Sequence, residues 1–223
     1  MKKYKISEIF FALQGEGSTI GKPSIFVRYF GCHLANRGKP CPWCDSKYAW
    51  NQKLGSYSKL SGDEIIREIK KYDCKHIVIT GGEPYLQLET SIDWLWIMDL
   101  WKQGYTFEVE TTGDYNLRSY PAISQYNISP KIQQSMIDFD DKIVYAPIIL
   151  KFVYEPGKKN IEGFIFQVVN NNPGIKNIYI MPQCKNRKEY LLNCGATEKF
   201  CMENNFIFSP RLHIINWDGE RGK

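Results

Sequence analysis

The sequence predicts an α/β fold around a mostly parallel sheet. Two observations carry this. Short runs rich in β-branched and aromatic residues alternate with longer amphipathic stretches, and glycines or capping residues mark the boundaries between them. Ser24–Phe30 is the first such run and reads as a strand. Ser61 and Glu64 have the spacing of a capping box, and the helix they open carries Ile65, Ile66 and Ile69 on one face. His76–Thr80 reads as a buried strand that stops at Gly81-Gly82. Residues 89–103 are expected to be helical, with Trp94, Leu95, Met98 and Trp101 near a helical period and Gly104 as the stop. Further strands are expected at Tyr105–Glu110, Ile148–Val153, Asn177–Met181 and Phe206–Phe208, with helices over 161–169 and 187–203. Strands separated by helices imply βα units. Too few units are visible for a closed eight-fold barrel. Residues 35–60 and 112–147 show no clear period, and no repeat or linker divides residues 1–223, so one domain is expected.

Composition narrows the function. The 223 residues are 43% hydrophobic and 14% aromatic, which suits a globular chain with a substantial core. The formal net charge of +5 is scattered rather than clustered, which argues for a small anionic substrate and against direct nucleic-acid binding. Seven cysteines is an odd number, and no apolar segment follows the basic start Met1–Lys5. No stretch is long and apolar enough to span a bilayer. The expectation is a reducing, cytoplasmic setting with no membrane partner.

Cys32, Cys41 and Cys44 form a C-x8-C-x2-C cluster. Three thiolates can hold a [4Fe–4S] cluster and leave one iron open for chemistry. The same residues admit a structural zinc with His33 as fourth ligand, although neighbours on a strand end tend to diverge. They also admit a redox pair at Cys41 and Cys44, or unrelated buried thiols, as Cys74, Cys194 and Cys201 are expected to be. Spacing by itself does not choose between cluster, zinc and redox pair.

Other segments form a pattern. Glu8–Gly17 (EIFFALQGEG), Phe26-Val27-Arg28 leading to Gly31-Cys32, Cys44-Asp45-Ser46, Thr80–Pro84 (TGGEP), Glu110–Gly113 (ETTG), Ser129-Pro130-Lys131 and Met181-Pro182-Gln183 follow one another in order. The tail adds Arg211-Leu212-His213, Trp217 and Arg221-Gly222. In order and spacing, nearly the whole chain resembles the 7-carboxy-7-deazaguanine synthases of the radical S-adenosylmethionine (SAM) superfamily. Two departures stand out. The superfamily's usual first cysteine gap is C-x3-C, so residues 33–40 read as an inserted loop, and Ser46 stands where the family commonly has threonine.

The resemblance implies a partial, modified (βα) barrel with its site at the strands' carboxyl ends. It implies a carbon–nitrogen lyase reaction, the radical ring contraction of 6-carboxy-5,6,7,8-tetrahydropterin with loss of ammonia. It assigns the [4Fe–4S] cluster to Cys32, Cys41 and Cys44, and Mg2+ to Ser46 beside the substrate carboxylate. SAM would meet Trp43, Gly82, Ser129, Pro130, Lys131 and the segment Met181, Pro182, Gln183 and Cys184. Leu13, Gln14, Gly15, Arg28 and Thr80 would meet the pterin, with Arg28 on its carboxylate. Glu110 and Gly113 could line the cofactor side. A reductant such as flavodoxin and a homodimer are also implied, but no general acid or base is. Taken singly, each motif has a plainer reading. Gly81-Gly82 suits a tight βα turn, Trp43 a core aromatic and Ser129–Lys131 a turn. Met181–Cys184 suits a strand terminator, Arg28 a surface salt bridge and Ser46 a loop serine. Two rival functions also fit parts of the pattern: a glycyl-radical enzyme activase of the same superfamily, and a non-catalytic zinc-binding module.

Overall fold

The computed structural model describes residues 2–115, 117, 120–133 and 146–222. Among them, nine strands form one sheet in the order β3-β1-β2-β4-β5-β6-β7-β8-β9. The first three are β1 (Tyr4–Leu13), β2 (Pro23–Tyr29) and β3 (Ser58–Leu60). β1 pairs antiparallel with both β2 and β3. From β2 onward every pairing is parallel, through β4 (His76–Gly81), β5 (Thr106–Thr111), β6 (Ile123–Ile128), β7 (Ile148–Tyr154), β8 (Ile178–Pro182) and β9 (Ile207–Phe208). Each parallel strand lies beside the next in sequence, which is barrel-type winding. The edge strands β3 and β9 do not pair, so the sheet stays open as a partial barrel.

The sheet's two faces differ, and this difference builds the site. On one face Ile25, Val27, Ile77, Ile79, Phe107, Val109, Tyr126, Ile128, Leu150 and Ile180 are buried in one apolar core. The helices α2 (Gly62–Ile69), α3 (Leu95–Lys102), α4 (Lys159–Asn171) and α5 (Arg187–Asn204) add Ile65, Ile69, Ile97, Leu100, Ile165, Val168 and Phe200 to it. Side chains alternate along a strand, so the other face carries Arg28, Thr80, Glu108, Glu110, Gln125, Asn127 and Lys151. This inner face is polar and closely paired: Asn127 Nδ2 donates to Glu108 at 3.1 Å and to Glu110 at 3.0 Å.

The capping box opens α2 as expected. Glu64 N donates to Ser61 Oγ at 3.3 Å, and Ser61 N to Glu64 Oε2 at 2.7 Å. Three expectations need correction. The stretch 89–103 begins as a 3-10 turn, Ser91–Trp94, before α3. That turn shifts the helical phase, so Trp94, Trp96, Ile97 and Leu100 are buried while Leu95 and Trp101 are exposed. Of Cys74, Cys194 and Cys201, only Cys201 is fully buried. Finally, part of 112–147 is regular. β6 lies there, and its Gln125 and Asn127 point to the polar inner face, which hides the apolar signature of a central strand. Residues 116, 118, 119 and 134–145 of that stretch lie outside the described residues.

Candidate active site

A cavity of about 300 Å³ opens at the carboxyl ends of the parallel strands. β2 delivers Arg28 to it, β4 Thr80 and Gly81, and β5 Glu110. Ser129 follows β6, Lys151 and Val153 come from β7, and Met181 from β8.

Cys32, Cys41 and Cys44 all line this cavity as free, half-buried thiols. Cys32 ends the run after β2 and begins the short α1 (His33–Asn36), the first part of the expected insertion. Cys41 and Cys44 share a turn in which Cys44 N donates to Cys41 O at 3.2 Å. Burial pushes the Cys32 thiol up, against the pull of the Ala35 and Leu34 amides. Burial does the same to Cys44, opposed by the Trp50 indole, whose Nε1 donates to Cys44 Sγ at 3.5 Å. N–H donors on sulfur also tune a bound iron–sulfur cluster. Among the described residues, only Glu16, Asp45 and His213 bring three metal-capable ligand atoms within 4.8 Å of one another. The three sulfurs therefore stand wider than ligands of one zinc, whose sulfurs at about 2.3 Å from the metal lie ~4 Å apart. His33 is buried elsewhere, with Nε2 3.1 Å from Asp114 and its ring edge-on to Tyr115. Among the described residues, no fourth ligand closes around the three thiols at the open cavity.

The turn after β4 sits hard against the first cysteine. A Cβ on Gly82 would lie 2.0 Å from Gly31 O and 3.0 Å from Cys32 Cβ. Gly82→Ala is therefore expected to cost ~3 kcal/mol, high in the range for overpacking, because backbone must move. Both a lower melting temperature and poorer iron retention should report it. Gly163→Ala on α4 meets nothing within 4 Å and serves as the control. Glu83 next to this turn is fully buried and ties it to the end of β5. It accepts from Thr111 Oγ1 at 2.8 Å and from Thr112 N and Oγ1 at 2.9 and 2.7 Å.

An ion-pair network built on the buried cations Lys151 and Arg211 forms another wall. Lys151 Nζ lies 2.6 Å from Glu110 and 3.2 Å from Glu16. Arg211 Nε bonds Glu16 at 3.0 Å, its Nη1 donates to Cys184 O at 2.7 Å, and its Nη2 meets Asp45. The Glu16–Asp45–His213 trio is thus an ion-pair cluster already holding a guanidinium. Burial would raise the Glu16 carboxyl, but Lys151, Arg211 and His213 outweigh it and hold it at about 2. Its folded pKa lies below its unfolded one. The stabilisation is therefore complete above about pH 4.5 and disappears as pH falls toward about 2. Glu110 has the opposite sign, since burial raises it despite Lys151. The melting temperature is expected to fall between about pH 5 and 2, and the fall should be shallower in Glu16→Gln.

The expected pterin-binding residues gather at one side. Leu13, Gln14, Gly15, Arg28 and Thr80 all line the cavity. Gln14 is buried, with Nε2 donating to Glu110 at 3.3 Å and Oε1 accepting from Gly15 N at 2.8 Å. Arg28 does form the plain salt bridge, Nε to Glu8 Oε1 at 2.8 Å, yet it also faces the cavity. Ser46 lines it too and donates to Asp45 Oδ1 at 2.7 Å. Of the residues expected at SAM, Trp43, Gly82, Ser129, Lys131 and Met181 are in the wall, with Lys131 bonded to Ser129. Pro130 instead backs Trp43 in a small adjoining recess. Pro182, Gln183 and Cys184 stand behind the wall. The Gln183 peptide is already engaged, N with Tyr154 O at 2.8 Å and O with Asn193 at 2.7 Å.

Residues 13–107 match the model of a 4Fe-4S single cluster domain. A 7-carboxy-7-deazaguanine synthase of Buchnera aphidicola is 36% identical, over 94% of this chain and 96% of its own. The chain belongs to the 7-carboxy-7-deazaguanine synthase family. A relative so described from Pyrobaculum aerophilum is 29% identical over 99% of this chain and 98% of its own. The crystal structure of QueE from Escherichia coli superposes with a TM-score of 0.68 at 25% identity, covering 95% of each chain.

For this synthase family member, sequence reasoning left several cavity residues unassigned: Glu16, Asp45, Tyr48, Lys151, Arg211, His213 and Arg221. Lys151 did leave a signal, a lone cation inside the apolar run Ile148–Val153. The others sit in loops or in the tail, where nothing local reveals what they face.

Proposed function

We propose that the chain is a radical SAM carbon–nitrogen lyase. It converts 6-carboxy-5,6,7,8-tetrahydropterin to 7-carboxy-7-deazaguanine with loss of ammonia, in queuosine-type 7-deazapurine biosynthesis. The observation that carries this is that three free thiols and the Gln14–Arg28–Thr80 group share one cavity. Cys32, Cys41 and Cys44 are the ligands proposed for the [4Fe–4S] cluster. Trp43, Gly82, Ser129, Lys131 and Met181 would hold SAM, with Pro130, Pro182, Gln183 and Cys184 supporting that wall. When bound, the cluster supplies the electron that cleaves SAM to a carbon radical.

The chain's own part is to bind, orient and exclude water. Gln14 and Gly15 meet the polar edge of the pterin, and Thr80 bonds it from β4. Arg28 takes the carboxylate, beside Mg2+ held by the Ser46 hydroxyl; magnesium prefers such oxygen ligands and keeps most of its waters. A flavodoxin-like reductant and a homodimer complete the reading. No helix among the described residues is long and apolar enough to cross a membrane.

The test is anaerobic purification with iron and zinc analysis, followed by turnover of the carboxytetrahydropterin with reductant, SAM and Mg2+. A brown protein with about four irons per chain that forms the deazaguanine supports the reading. A colourless zinc protein that takes up no cluster would end it. Full cluster loading without the deazaguanine would leave a radical enzyme of another kind, such as an activase.

A further inference from the structure

The C-terminal segment places a second arginine beside Arg28. Its base is pinned to α5: Arg187 N donates to Asp218 Oδ1 at 2.5 Å, and Arg187 Nε to Ile215 O at 2.7 Å. From there residues 219–222 run along the cavity wall. Arg221 Nε bonds Glu8 Oε2 at 2.8 Å, while Arg28 Nε bonds the other oxygen, Oε1, at 2.8 Å. The Tyr48 ring joins the group. Its hydroxyl donates to Glu8 Oε1 at 3.1 Å, and the Arg221 and Arg28 guanidiniums lie 4.2 and 5.7 Å from its centroid.

Two guanidiniums therefore share one carboxylate, which leaves the Arg28–Glu8–Arg221 group itself with one net positive charge (two minus one). Glu8 engages only the Nε of each. Among the described residues, neither arginine has a hydrogen-bond partner on Nη1 or Nη2. Terminal N–H groups held this way match the geometry of a carboxylate. The aromatic ring and Glu8 fix both guanidiniums before a ligand arrives, which lowers the ordering cost of binding.

We propose that Arg221 is a specificity residue for the substrate's carboxylate, forming one anion site with Arg28 around Tyr48 and Glu8. The proposal rests on the pterin reading above and adds the C-terminal segment to the substrate pocket. An anionic pterin would be recognised by both arginines, and an uncharged one by neither.

The test compares equilibrium binding of 6-carboxytetrahydropterin and of tetrahydropterin without the carboxylate. It uses cluster-loaded enzyme carrying SAM but no reductant, so no turnover intervenes. Arg221→Gln is expected to weaken the carboxylated ligand about 10- to 100-fold, the effect of losing a charge-assisted contact, and leave the carboxylate-free ligand unchanged. Arg221→Lys should fall between, keeping the charge without the fork. In turnover, Arg221→Gln should raise KM far more than it lowers kcat. Equal weakening of both ligands would show that Arg221 only props Tyr48 and Glu8, and it would overturn the proposal. Unchanged binding of both would overturn it as well. If the unmutated enzyme binds neither pterin, the pterin reading itself fails; if it binds the carboxylated one and Arg221→Gln binds it equally, only the role of Arg221 fails.

Discussion

Replacing Cys41 by alanine is expected to abolish cluster incorporation and all turnover while leaving the fold intact. The thiol lies in a turn at the cavity, half-buried, outside the apolar core. Its removal therefore opens no core cavity, and the melting temperature of the metal-free protein should barely move. The effect on the metal should be large. Three protein thiolates are the minimum set for a site-differentiated cluster, and Cys32 and Cys44 cannot close the cube alone. His33, the neighbour of Cys32, does not replace the third, because it is committed to Asp114. Iron content should fall from about four per chain to near zero, and the brown colour with it. Cys74→Ala is the matched control, since Cys74 packs by β4 against Pro23 O and His76 N and should keep its iron. Full iron and activity in Cys41→Ala would remove the basis for placing the cluster here.

The strands that face apolar neighbours on one side and helices beyond them were legible: β2, β4, β5, β7 and β8 appear within a residue or two of their expected bounds. What escaped shares one cause. β1 is half-exposed along much of its length, and β6 presents amides to a polar inner face, so neither shows a sustained apolar run. The site divides in the same way. Local motifs carry their own signature, so the family resemblance could give expected roles to the three cysteines, Gly82 and Arg28. The residues that neutralise the cavity are brought together from 45, 151 and 211, and only the winding of the sheet makes them neighbours. Cys184 shows the converse. It sits in a recognisable segment, yet the fold turns it to support Arg211 from behind.

Arg211 is where that long-range assembly can be tested most severely. Its side chain is 5% exposed and binds three groups from different parts of the chain: Glu16 after β1, Asp45 beside Cys44, and the Cys184 carbonyl after β8. Arg211→Met keeps much of the volume but leaves Glu16 and Asp45 facing each other, with Lys151 as the remaining cation on Glu16. Removing one partner of an ion pair costs about 3–5 kcal/mol where the charge left behind is fully buried; the Glu16 and Asp45 side chains keep 19% and 32% exposure, so the low end, about 3 kcal/mol, is expected. For a chain of this size that corresponds to a fall of roughly 10 °C in melting temperature. Asp45 lies between Cys44 and Ser46, so its displacement should also reduce iron retention, an effect a remote core mutation of equal cost would not have. The charge argument predicts partial rescue. Adding Asp45→Asn to Arg211→Met removes one of the stranded carboxylates, so the double variant should be more stable than Arg211→Met alone. A double variant less stable than the single one would mean that Arg211 acts by packing, and that the electrostatic account of this wall is wrong.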